Sequence, residues 1–134
     1  MHAEDRSDNL QTTESDPHVI IRGFGALTRE VAPRINPILL LVREAAAADP
    51  EMAQLQYDID RQRLARMTHN ARNLANAGHL RRDITVKHAA EIMWTYSSPE
   101  LYQLLVVTRR WALSRYCGFI VDAMIAALLP PSHH

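Results

Sequence analysis

The last helical stretch of the chain, GFIVDAMIAALL over residues 118–129, is apolar almost all the way round. At about 100° per residue, Leu113, Tyr116, Cys117, Ile120, Met124 and Leu128 form one stripe, and Phe119, Val121, Ile125 and Leu129 spread well beyond it. Only Arg115, Gly118 and Asp122 mark a polar strip. A helix of this kind is either buried centrally or shared with a partner. The preceding stretch, LYQLLVV over residues 101–107, poses the same problem. Two consecutive helices with apolar surface on both sides are hard to cover inside a chain of 134 residues. Left open, they form a patch large enough to cause association. A central hairpin in a monomeric bundle and a seam between two copies both satisfy the pattern, and the second needs less internal cover.

The rest of the chain reads as helix. Apolar residues recur at helical spacing through Ile20, Phe24, Leu27 and Val31, then Ile35, Ile38, Leu39 and Val42. Pro33 and Pro37 are expected to split this segment into a helix, a bend and a second helix. Asp49-Pro50-Glu51 is a helix start, with Asp as N-cap and Pro at the first position. The helix it opens is expected to end near Ala77, with Gly78 as its cap. Thr85 opens the next helix, and Ser98-Pro99 starts another that is expected to reach about Arg110. No alternating run or hairpin turn suggests a strand. The pattern predicts an all-α bundle of about five to six helices over residues 18–130. Residues 1–17, with Leu10 their one large aliphatic side chain, are expected to be a disordered tail, and 131–134 a second tail.

Composition narrows the function. Fifteen basic residues balance fifteen acidic ones, so the large electrostatic term of nucleic-acid binding is missing and no direct nucleic-acid contact is expected. Abundant Ala and Arg, with Lys87 the one lysine, suggest a GC-rich bacterial source. Cys117 is the lone cysteine and reads as an inert buried thiol. The polar N-terminus is unlike a signal peptide, and no apolar run is long enough to span a bilayer, so a cytoplasmic protein without membrane contact is expected. His69, His79 and His88 lack ligand spacing; His88 and Glu91 are half of a di-iron pattern without its second copy. No metal, cofactor or enzyme activity is expected. Asp58 to Arg61 and Asp60 to Arg63 are spaced for ion pairs on a solvated face.

Residues 89–129, AAEIMWTYSSPELYQLLVVTRRWALSRYCGFIVDAMIAALL, resemble the C-terminal regulatory domain of the tetracycline-repressor (TetR) family of transcriptional regulators. The resemblance rests on Ala89-Ala90, Trp94, Ser98-Pro99-Glu100, Tyr102, Leu104-Leu105, Trp111, Tyr116 and Leu128-Leu129. Upstream, REAAAADPEMAQL is similar to the family's junction between two helices. One departure lies before the last helix, where the family usually has Gly-Trp-Ser-Pro and this chain has Arg110-Trp111-Ala112-Leu113. A second is that the 17 residues ahead of the resemblance are too few for the family's three-helix DNA-binding module. That leaves an excised domain and a natural protein without a DNA reader as the two readings.

The resemblance implies two activities. One is a pocket for a hydrophobic small molecule, for which the candidates are Phe24, Tyr57, Met67, Ala71, Met93, Trp94 and Tyr96, with Arg63 or His69 as polar anchors. The other is a homodimer in which the last two helices form a four-helix bundle with their own copy. Its candidates are Tyr102, Leu105, Val106, Arg109, Tyr116, Phe119, Ile120, Ala123, Met124 and Ala127, with Trp111 at the rim. An interaction module that pairs with a full-length regulator or another partner, with no ligand, is the alternative.

Overall fold

In the computed structural model, which describes residues 3–131, six α-helices form an all-α bundle, and no strand occurs among the described residues. The expected C-terminal tail lies outside them apart from Pro131, as do His133 and His134. Helix α1 (Ala3–Thr13) leads into α2 (Pro17–Ala46), which is followed by α3 (Pro50–Asn76) and α4 (Val86–Tyr96). A short α5 (Pro99–Tyr102) runs directly into a π-helical turn at Gln103–Thr108, and α6 (Leu113–Leu128) ends the bundle.

The boundaries follow local chemistry. Asp49 Oδ1 accepts from the N–H groups of Glu51 and Met52 at 2.9 and 3.4 Å, and Thr85 Oγ1 accepts from His88 N–H at 3.0 Å. Each satisfies donors that the first helical turn leaves free. Gly78 at φ +76° ends α3, and the His79 N–H closes back on Leu74 O at 2.9 Å. This left-handed position is one that glycine occupies without a steric penalty.

Three sequence expectations fail here. Residues 3–13 are not a disordered tail: they form α1. Its hold is long-range, through Arg66 Nη2 on Asp8 Oδ1 at 2.9 Å and Gln11 Nε2 on Asn70 O at 3.1 Å. Leu10 closes over Gly23, so tightly that a Cβ there would meet Leu10 Cδ2 at 2.2 Å. Second, Pro33 and Pro37 do not break α2, which continues through both. Arg29, Pro33 and Pro37 are all exposed, so the carbonyls of residues 29 and 33, which lose their helical donors to the prolines, lie on the side that water reaches. The opposite face buries Ile20, Ile21, Gly25, Ala32 and Asn36 on both sides of the first proline.

Third, the helix after Ser98 is α-helical for four residues only before it widens. At its end the Arg109 N–H bonds Leu104 O at 3.1 Å and the Trp111 N–H bonds Leu105 O at 2.9 Å. Between them Arg110 sits at φ +58°. A non-glycine residue in this region pays for the close approach of its Cβ to the carbonyl. Ala112 then stands at the N-cap of α6 without a side-chain bond to offer. Both positions carry the wrong residue for their geometry. Arg110→Gly should stabilise the fold by about 0.5–1 kcal/mol by releasing strain, and Ala112→Ser by about 1 kcal/mol by capping α6. Urea unfolding of the two variants and the double variant measures this; unchanged or lower midpoints mean the turn is not strained.

Candidate functional site

The core gathers on the inner faces of α2, α4 and α6, where Ile20, Ile21, Ala89, Ala90, Met93, Tyr116, Ile120 and Leu128 are nearly without solvent exposure. At Gly25 the α2 backbone comes so close to α6 that a Cβ would lie 2.3 Å from Val121 Cγ2. Above this contact the helices part, and the bundle holds a cavity of about 270 Å³ that opens to the surface.

One wall is a continuous stripe of α2, with Phe24, Leu27, Thr28, Val31, Ala32, Ile35, Asn36 and Leu39. Their spacing keeps them on one helical face, and the stripe passes straight by Pro33. The facing wall comes from α3, with Arg63, Arg66 and Met67, and from Met93 of α4 and the adjoining Ser97. Tyr116 and Met124 of α6 complete it, and Glu4 and Ser7 of α1 lie across the top. Glu4 and Ile35 are the lining residues most open to solvent.

The polar side of the cavity is organised around Arg63. Its Nη1 donates to Trp94 O and, at 2.8 Å, to Ser97 Oγ. The guanidinium lies over the Trp94 ring, 4.9 Å from the centroid, and the indole Nε1 donates to Asp60 O at 3.1 Å. Asp60 was expected to pair with Arg63 on a wet face. Instead both side chains are mostly covered, at 23% and 14% exposure, and they stand 3.9 Å apart. Asp60 Oδ1 belongs to Arg43, whose Nη2 is 2.7 Å away and whose Nε donates to Glu100 Oε1 at 2.5 Å. Burial pushes the Arg63 guanidinium below its ordinary value, against the pull of Asp60 and Glu100. Burial likewise works against the Arg43 charge, but its two carboxylate bonds outweigh that and hold it up. Burial also pushes the Tyr116 phenol up to about 12, so it stays a neutral donor, set edge-on to Tyr102 with centroids 5.6 Å apart.

Four of the nine pocket candidates meet at this cavity: Phe24, Arg63, Met67 and Met93. Trp94 stands behind Arg63 and positions it. Tyr57 lies apart, in a shallow depression with Arg43, Gln56 and Asp60. His69 Nε2 is at 3.0 Å from Asp8 Oδ1, Ala71 is fully buried in the core, and Tyr96 packs edge-on to Phe119 at 6.3 Å. Sequence reasoning did not name the stretch of α2 from Leu27 to Leu39, or the inward side of α6, as lining. Asn36, an amide 7% exposed on a mostly apolar face, was the available signal.

The expected dimer face divides in two. Tyr102, Tyr116, Ile120 and Met124 are buried within this chain and face its own core. Leu105, Val106, Ala123 and Ala127 are half-buried, and Arg109 is exposed. Trp111 is half-buried between the Arg115 guanidinium, 3.9 Å from its ring centroid, and Phe119, at 5.9 Å. What the hairpin leaves outward is Leu104, Val107 and Phe119, at 56%, 54% and 41% exposure.

Cys117 is buried, and burial raises its thiol. No cluster of metal-ligating side chains occurs among the described residues, and no helix among them is long and apolar enough to cross a membrane. No family model, curated protein or solved structure matches the chain. The Arg43–Asp60–Arg63 arrangement generates a test. Asp60→Asn removes the carboxylate that Arg43 holds and that offsets Arg63, and should destabilise the fold by about 1.5–3 kcal/mol. A urea midpoint equal to that of the unchanged chain would show that the bridge is neutral.

Proposed function

We propose that this chain is a regulatory domain similar to that of TetR-family repressors, one that takes a hydrophobic small molecule into the cavity and dimerises through its C-terminal hairpin. The cavity carries this reading. Protein interiors are close-packed and keep few voids larger than a water molecule. Here five helices converge around about 270 Å³ lined mainly by aliphatic, methionine and aromatic side chains, with a smaller number of polar groups among them. That combination is the usual form of a small-molecule site. An apolar cavity of about 150 Å³ already takes benzene, so this one has room for a larger guest. Three methionines, Met67, Met93 and Met124, give the wall a pliable surface.

A saturating hydrophobic ligand stabilises the fold that binds it, by about 2.7 kcal/mol at a hundred times its Kd. A thermal-shift panel of apolar and amphipathic compounds should therefore contain members that raise Tm by several degrees, and a flat panel overturns the ligand reading.

The hairpin supports dimerisation by its composition. Leu104 and Val107 on the π-helical turn are more than half exposed, and Phe119 on α6 is 41% exposed although Tyr96 and Trp111 pack edge-on to it. A two-fold axis through such a face would bring four helices together and bury each apolar patch against its copy. Sedimentation should give a dimer at micromolar concentration. Leu104→Glu with Val107→Glu should give a monomer with unchanged helical circular dichroism, because both side chains are more than half exposed. A monomeric unaltered chain would instead leave the face for a different partner, such as a full-length relative.

A further inference from the structure

Among the described residues, three buried side-chain polar atoms find no hydrogen-bond partner: Ser7 Oγ, Arg63 Nε and Asn70 Oδ1. Two of the three belong to residues that line the cavity. An unpaired buried donor carries a desolvation penalty that a bound acceptor removes. Arg63 carries a second deficit, that of charge. Its Nη1 is spent on neutral oxygens, and its nearest carboxylate, Asp60 at 3.9 Å, already bonds Arg43. The side chain is nonetheless only 14% exposed. A mostly buried cation without a close anion of its own is favourable ground for an incoming one. The other charges on the lining do not reverse this. Arg66 is paired with Asp8 at 2.9 Å, and Glu4 sits on the exposed rim.

We infer that the cavity takes an amphipathic carboxylate, its apolar body against the methionines and the α2 stripe and its single anionic head on Arg63. Scaling from the benzene-sized cavity gives a guest of roughly ten to twelve heavy atoms. The carboxylate supplies a negative charge and acceptor oxygens for the guanidinium, which lines the cavity, while Asn36 offers a neutral donor on the same lining. Arginine suits this role because its fork of N–H groups matches a carboxylate, and it stays charged when buried.

This inference rests on the cavity being a ligand site, and the test separates the two. Decanoate and decanol share a chain and differ in the head. Titration calorimetry of the full chain, below the micellar range, should show one saturable site that binds decanoate at least tenfold more tightly than decanol. Arg63→Gln should abolish the preference for decanoate over decanol, the two binding with the same affinity; Arg63→Lys should keep part of the preference through its charge. Should Arg63→Gln fail to fold, the ratio in the unaltered chain still decides. Equal or tighter binding of decanol overturns the anionic head and leaves the apolar site standing. No saturable binding of either compound overturns both.

Discussion

Most of this bundle is hung on α2, a helix of 30 residues that keeps its course through two prolines. It touches α1, α3, α5 and α6. A proline inside a helix costs about 3 kcal/mol or more in isolation, and this one contains two. What holds it straight enough to serve is the inner face, where Ile20 and Ile21 are sealed in the core and Gly25 lets α6 approach to backbone distance. The same helix forms the cavity wall. Core below and cavity above are therefore two stretches of one apolar stripe. What separates them is the residue at the crossing: glycine where the helices touch, bulkier side chains where they part.

The parts of this fold legible in the sequence were those decided by neighbours within a few positions. The Asp49 and Thr85 caps and the glycine that ends α3 are of this kind, since each depends on one residue and the adjacent backbone. Where distant contacts decide, local reading fails. The polar α1 has little to recommend it as a helix until Arg66, Asn70 and Gly23 are placed against it. The prolines of α2 look like breaks until the exposed side of their missing bonds is known. The C-terminal helix was rightly read as apolar all round, but such a helix does not reveal which stripe turns inward. Tyr116, Ile120 and Met124 turned inward, and Phe119 outward.

The candidate site shows the same division. Phe24, Met67 and Met93 were legible as apolar residues on converging helices, and Arg63 as a cation beside them. That Arg63 would be covered, stacked on Trp94 and deprived of Asp60 by Arg43 was not, because three helices and the α4–α5 junction create that situation together. One consequence reaches beyond the cavity. Helix α6 presents Tyr116 and Met124 to the cavity and Phe119 to the outside. One helix, with no intervening element, thus carries both part of the cavity wall and part of the exposed apolar patch.

The turn at Gln103–Thr108 gives this chain an unusual tolerance. Deleting one residue from a regular helix rotates everything beyond it by about 100° and turns its buried face toward water. A π-helical turn is an α-helical one with a residue to spare. Losing one position there tightens the coil to the ordinary pitch, and the slack is taken up before α6 begins. A variant shortened by one within Leu104–Val107 would therefore keep Tyr102 and Tyr116 in the core while changing which apolar side chains the hairpin shows to the outside. Chain length at this point sets which of these side chains face outward and which, as Leu105 and Val106 do now, pack against the core.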